Sequence, residues 1–439
     1  MPRRAVPAAP LPSDRPRALA RTLVLALGLR LLIAAIPGGH LWDQGCFKAW
    51  GIQLVRYGAG RFYSSPQLVH CDYPPLYLYV LGFWAWLYHL VDPGIVRWGL
   101  DQVMAVSPLN FWMKIPASLA DVLNGWLIWR ILVPRLGRHK AHRAAALYLF
   151  NPLFVYDSAW WGQLDTVIVT FSLLVLWASI EGRLVLAMVA GTVGVLVKPQ
   201  GIFVLPAGLA SHWHRKHGAR WWLAIATSLL VAWVAIRPFW PGGPPWHPFV
   251  ALFALLRGTA DDYRFAAMKA FNLWGLLAPS AADSTRVLGV TLAGWGLAFL
   301  AMAQAVVAWA LYRRRDDGTV FLGWAASAGA FFLLATRMHE RYFISGIALL
   351  ALAVPYRPRL RRWYWVLSAI SCVDMYGAQD LRFGAVLAAV GIGRILGLAN
   401  LVIFGLLLKA LLSPPDVLEP PAVSASAPDA IRAAADRPS

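Results

Sequence analysis

The stretch Leu23-Val24-Leu25-Ala26-Leu27-Gly28-Leu29-Arg30-Leu31-Leu32-Ile33-Ala34-Ala35-Ile36 carries one charge, Arg30, in an otherwise apolar run. It follows Met1–Arg21, a Pro/Ala-rich segment that holds Arg3, Arg4, Arg15, Arg17 and Arg21. An apolar run entered from a basic flank reads as a membrane span whose leading end stays in the cytoplasm. No cleavage site follows it, so it is expected to be the first span and not a removed signal.

Working outward, similar runs recur at Phe111–Leu132, Ala144–Tyr156, Thr166–Ser179, Leu184–Val197, Ile202–Ala210, Trp221–Ile236, Val287–Leu311, Val320–Ala335, Ile344–Val354, Trp363–Tyr376 and Phe383–Leu411. The chain is 59% hydrophobic and only 14% charged, too little charge to coat a soluble domain of 439 residues. The expected fold is therefore an all-α, polytopic transmembrane helix bundle of about 11–13 spans. Several runs are short, which suits helices broken or tilted around a cavity.

The formal charge of +19 does not indicate a nucleic-acid partner. The basic residues lie in short loops between apolar runs, namely Arg135–Arg143, Arg215–Arg220, Arg313–Arg315 and Arg357–Arg362. Placing these loops inside sets the parity of every span. A cytoplasmic N-terminal segment (1–21) then precedes a membrane domain (22–411), and a Pro/Ala-rich disordered cytoplasmic tail (412–439) follows it. Outer loops fall at about 37–110 and about 237–286, the first containing interfacial helices. Within it Pro74–Leu90 either lies at the interface or re-enters, or it spans with a weaker partner between Val96 and Leu109 bringing the chain back. Cys46 and Cys71 share that loop and are either bridged or two free thiols, and Cys372 falls in an apolar run.

The parity rests on basic loops alone, yet it gathers the unusual polar clusters on the outer side. They are Asp43 in Leu41-Trp42-Asp43-Gln44, Asp72 in Asp72-Tyr73-Pro74-Pro75, the stretch Asp157–Asp165, Lys198-Pro199-Gln200, and Arg337-Met338-His339-Glu340-Arg341-Tyr342. Ionisable groups at span ends are costly and usually have a partner or a task. Each also has a plain structural reading. Asp43 would be a solvated loop acid, Asp72 a helix cap, Lys198 a snorkelling side chain, and the Arg-x-His-Glu-Arg run an internal salt-bridge set. Its density of cations equally suits a phosphate clamp. Arg30, Lys114 and Asp121 read as helix-packing groups. No phosphate-binding glycine loop, nucleophile elbow or His-Glu-x-x-His helix is present in the sequence. Paired outer-face aspartates would suit a divalent cation, though nothing demands one.

These motifs resemble those of GT-C superfamily glycosyltransferases. The nearest likeness is to the dolichyl-phosphate-glucose glucosyltransferases of N-glycan precursor assembly, and a second is to bacterial relatives of the GPI second mannosyltransferase. The likeness rests on Asp43 with Trp50 beyond it, on Asp72-Tyr73-Pro74-Pro75-Leu76 with Tyr79, and on His339-Glu340-Arg341. Asn151-Pro152 followed by Trp161-Gly162-Gln163 and Asp165 lies between them, where the eukaryotic enzymes have a His-Phe-Gln core; Asn272-Leu273-Trp274 is similar to the bacterial relatives.

The resemblance implies a membrane glycosyltransferase. It would move a hexose, glucose or mannose, from a polyprenyl-phosphate donor to a hydroxyl of a lipid-linked or other envelope glycan, with inversion, at the outer membrane face. Asp43 is the expected general base. Arg337, His339, Arg341 and Lys198 are expected to bind the donor phosphate. Asp72, Tyr73, Trp161, Gln163, Asp165 and Glu340 are expected to bind sugar or acceptor. One base suffices, because phosphate leaves without a proton, whereas glycoside hydrolases usually use two carboxylates. The bacterial plasma membrane is the expected location. The alternative is a transporter or flippase of a lipid-linked or small anionic substrate. Such proteins usually place their site near the bilayer midplane, often between two similar halves.

Overall fold

The computed structural model describes residues 16–213 and 215–414. The basic stretch up to residue 15 and the tail from 415 onward lie outside the described residues. The fold is an all-α polytopic membrane bundle. Among the described residues, five helices are long and apolar enough to cross a bilayer: Arg17–Ala35, Arg220–Phe239, Leu292–Arg313, Asp317–Leu334 and Ile392–Leu412. Asp165–Ile180, Leu184–Val197 and Ile344–Ala353 are shorter apolar helices. Asp317–Leu334 and Ile344–Ala353 are apolar on all sides and buried on nearly all sides, as a bundle centre requires. The expected packing pair is present: Arg30 Nε donates to Asp121 Oδ2 at 2.8 Å with both side chains fully buried.

Four expected boundaries are corrected. The helix from Pro108 runs to Leu149, kinked at Gly137 (φ 75°), so the basic stretch Arg135–Arg143 is a helical corner and not a loop. The run Ala144–Tyr156 stops at Asn151-Pro152, where the Asn151 side chain caps a new short helix. The run Val287–Leu311 begins as a hairpin, Arg286–Val287 against Val290–Thr291, and turns helical only at Leu292, capped by Thr291. The run Phe383–Leu411 divides into Leu381–Ala389 and Ile392–Leu412 at Gly391, whose φ of 71° is left-handed.

The long loop after the first span folds on itself. Helices Leu41–Tyr57 and Pro75–His89 pack side by side, and Gly51 and Gly82 sit at their contact, where a Cβ on Gly51 would meet Leu81 O at 2.8 Å and one on Gly82 would run into the Leu54 side chain. Val96–Leu109 yields only the five-residue helix Leu100–Met104, about 7.5 Å long, so it supplies no returning span. Asp72 does not cap the second helix, whose N-cap is Pro74. Cys46 and Cys71 are buried free thiols.

Candidate active site

Local sequence sets where the central acid stands. His40 is the N-cap of helix Leu41–Tyr57, its Nδ1 accepting from the Asp43 N–H at 3.3 Å, so Asp43 lies in the first turn. The Asn151-Pro152 break leads into a turn of π-helix, Tyr156–Trp161, ended by Gly162 at φ 85°. This turn delivers Trp161 and Gln163 to Asp43: Trp161 Nε1 donates to Oδ2 at 2.8 Å, and Gln163 Nε2 donates to the same oxygen at 2.6 Å. Gln44 fixes the two segments together by donating to Trp161 O at 2.8 Å. The His40 ring stacks flat on Trp161 at 4.5 Å.

Arg341 completes the cluster from the other side of the bundle. Its guanidinium donates to Glu340 Oε1 at 2.5 Å and stands 3.5 Å from Asp165 Oδ2 and 3.9 Å from Asp43 Oδ2. Lys198 Nζ donates to both oxygens of Asp165, at 2.9 and 3.1 Å, and faces the Tyr342 ring at 4.9 Å. Two cations thus face three carboxylates. A fourth acid, Asp157, is fully buried with neither carboxylate oxygen hydrogen-bonded. Burial, with Asp165 and Asp121 nearby, pushes it well above the usual carboxylate range.

Asp43 and Glu340 go the other way. Burial alone would raise Asp43, but Arg341, His40 and Trp161 hold it well below the usual range. Burial would also raise Glu340, and Arg341 with His339 draws it down to about 2. Asp43, Asp72, Tyr73, Gln163 and Arg341 line one open cavity of about 450 Å³. Asp72 Oδ2 accepts from Tyr263 Oη at 2.8 Å, and Tyr263 packs edge-on against His339. Trp50 lies in the cavity wall against Tyr73, ring centroids 5.0 Å apart.

Of the expected site residues, Asp43, Trp161, Gln163, Asp165, Lys198, Glu340 and Arg341 form one connected cluster, with Asp72, Tyr73 and His339 beside it. Arg337 is turned elsewhere. It adopts φ 64°, donates to Asp283 Oδ2 and Ala260 O at 2.5 Å each, and is tied to the second loop. Sequence reading missed His40 and Tyr263. His40 was legible as a residue preceding an apolar helix with an acid three positions on. Tyr263 stands 191 residues from Asp72 and gave no signal. Among the described residues, no group of three or more His, Cys, Asp and Glu is arranged to hold a metal ion.

A family model described as dolichyl-phosphate-mannose-protein mannosyltransferase matches residues 92–242. A probable arabinosyltransferase C of Mycobacterium leprae is 27% identical over 226 residues, 44% of this chain and 20% of that protein. A probable arabinosyltransferase C of Mycolicibacterium smegmatis is 31% identical over 116 residues, 24% of this chain and 10% of that protein. The chain therefore spans at most about a fifth of the length of these relatives. The crystal structure of an Archaeoglobus fulgidus oligosaccharyltransferase in the apo form is similar at a TM-score of 0.43 and 12% identity, covering 88% of this chain and 56% of that one. The family model and the curated relatives support a GT-C superfamily glycosyltransferase.

Proposed function

We propose that this chain transfers a sugar from a polyprenyl-phosphate donor to an acceptor hydroxyl, with inversion, at the outer face of a bacterial plasma membrane. The acceptor is a lipid-linked or other envelope glycan, and the sugar a hexose, glucose or mannose. The family model's name favours mannose on a polyprenyl phosphate, and the relatives' names favour a pentose. The observation that carries the reading is the binding of Asp43 in a cavity wall. Trp161 and Gln163 both donate to Oδ2, while Oδ1 has His40 Nδ1 at 3.3 Å. Oδ1 is thus the oxygen that accepts the acceptor proton, at a contact of about 3 Å.

In the step itself the acceptor O–H proton passes to Asp43 as the oxygen bonds to the anomeric carbon. The bond from that carbon to the phosphate oxygen breaks, and the electron pair leaves with the polyprenyl phosphate. Arg341 sits beside the base, keeps it ionised, and faces the negative charge that develops. Tyr73 and Trp50 offer stacking faces for the sugar, and Asp72 an acceptor for its hydroxyls. Asp165 and Glu340 act through Arg341, which they hold in place.

The test is sugar transfer by purified protein in nanodiscs, offered polyprenyl-phosphate glucose, mannose and arabinose with a membrane glycolipid extract. Labelled product from the wild type, lost in Asp43→Asn while donor binding persists, is the expected result. Transfer that survives Asp43→Asn overturns the base assignment, and donor transport without transfer favours the transporter reading.

A further inference from the structure

The cavity that holds Asp43 divides by exposure. Its inner lining is committed: Asp43 to Trp161, Gln163 and Arg341, and Asp72 to Tyr263. Its outer lining is not. Trp42 is 63% exposed, and His70 and Asp262 are exposed in the wall of the same cavity. Among the described residues, none of these three side chains has a hydrogen bond, ion pair or ring contact.

Three segments bring these side chains to one cavity, and each segment is anchored. Trp42 sits in the first turn of helix Leu41–Tyr57, one position before the base. His70 follows Val69, whose carbonyl accepts from Trp50 Nε1 at 3.3 Å, and precedes Cys71, whose N–H donates to Gln67 Oε1 at 2.8 Å. Asp262 ends helix His247–Asp262, which is pinned to the first loop where Thr259 Oγ1 donates to Asp72 O at 3.1 Å. An exposed indole alone is ordinary at a membrane surface. Sharing a cavity with an anchored, unpaired carboxylate and imidazole gives it the composition of a carbohydrate site. The indole offers an apolar face for the C–H side of a ring. The carboxylate accepts from hydroxyls, and a neutral imidazole both donates and accepts.

Charge decides which sugar lies there. Among the described residues that line this cavity, Arg341 is the one Lys or Arg, and it stands with Asp43. The outer lining carries instead the unpaired Asp262 carboxylate, which repels a phosphate and equally an anionic sugar. The donor has one sugar on its phosphate, and the proposed reaction puts both beside Arg341. The acceptor ring that reacts lies against Asp43 Oδ1 in the inner lining. A ring over Trp42 is then the next one along the acceptor. We infer that Trp42, His70 and Asp262 form a subsite for the second sugar of the acceptor, so that the chain extends a neutral glycan of two or more residues and not a lone sugar or a hydroxyl on a non-sugar carrier. This inference rests on the glycosyltransferase reading for which part of the cavity reacts.

The experiment is equilibrium binding of methyl glycosides to full-length protein in nanodiscs. Monosaccharides and the matching disaccharides of glucose, mannose and arabinose are compared. In the wild type at least one disaccharide is expected to bind roughly tenfold more tightly than its monosaccharide, from one stacked ring and its hydrogen bonds. Trp42→Ala is expected to bring that disaccharide down to the monosaccharide affinity, and Trp42→Phe to keep most of the preference. Asp262→Ala, at an exposed position, is expected to reduce the preference severalfold. A wild type without any disaccharide preference overturns the subsite, as does a preference that persists in both Trp42→Ala and Asp262→Ala. Equal weakening of monosaccharide and disaccharide by Trp42→Ala would mark a structural role and overturns it as well. The two proposals fail separately. Transfer to both acceptor lengths with equal acceptor KM sinks the subsite and leaves the enzyme. A disaccharide preference carried by Trp42 without transfer from any donor leaves the subsite and sinks the enzyme.

Discussion

Replacing Arg341 by methionine keeps most of the side-chain volume and removes the one guanidinium shared by Asp43, Asp165 and Glu340. The size of the effect follows from Glu340, whose side chain is 4% exposed. Its carboxyl drops from 4.5 to about 2, and Arg341 is the largest of the influences that lower it. At roughly 1.4 kcal/mol per pH unit, that drop corresponds to about 3 kcal/mol of stability. In the wild type this contribution is fully present above about pH 4.5 and is lost as the pH falls through the folded value near 2. Without Arg341 only His339 and the backbone are left to draw Glu340 down against burial, so the drop of its folded value shrinks. The ionised form then contributes less stability at neutral pH, and less is lost on acidification. Arg341→Met is therefore expected to lose about 3–5 kcal/mol at neutral pH. It is also expected to lose less stability than the wild type as the pH falls from about 5 toward about 2. Thermal unfolding in detergent, followed by tryptophan fluorescence across that range, measures both. Adding Glu340→Gln should recover part of the loss. Parallel pH dependences for wild type and Arg341→Met would refute the reasoning.

Gln163→Leu removes the 2.6 Å donor to Asp43 Oδ2 and should lower kcat by roughly tenfold with little change in donor KM, while the acid limb of the pH–rate profile moves upward. Gly391→Ala should destabilise by about 1 kcal/mol, read as a lower unfolding temperature. A Cβ there meets nothing within 4 Å, so the cost is that of a left-handed backbone alone. Cys46 and Cys71 should resist maleimide at neutral pH in the folded protein and react on denaturation. Burial, with Asp43 next, pushes Cys46 up to about 12, and burial pushes Cys71 well above its usual value.

Much of the site was legible because its residues come as short motifs at the ends of apolar runs. Asp43, Trp161-Gly162-Gln163, Asp165, Lys198 and Glu340-Arg341 were assembled on one side by loop charge alone, and they do meet. What each touches was not legible. Lys198 and Asp165 are 33 residues apart and Asp43 and Trp161 118 apart, and sequence carries no pairing code over such distances. Arg337 and Arg341 look alike in the sequence, yet the left-handed backbone at Arg337 sends it to Asp283. Helix ends were read poorly where a run is apolar throughout. Phe383–Leu411 has no polar face to mark a break, and only Gly391 hints at one. The corner at Gly137 was hidden for the opposite reason, since a basic stretch reads as loop even when it remains helical.

The π-helical turn Tyr156–Trp161 carries a consequence for how this chain can vary over time. Each residue of an α-helix advances the chain by about 100° around its axis. A π turn accommodates one residue more than the α-helical turn it replaces. Loss of any single residue between Pro152 and Trp161 would restore ordinary winding and swing the indole away from Asp43. Substitutions in this segment are judged one side chain at a time, but length is judged all at once. The segment should therefore drift in composition while its residue count stays fixed.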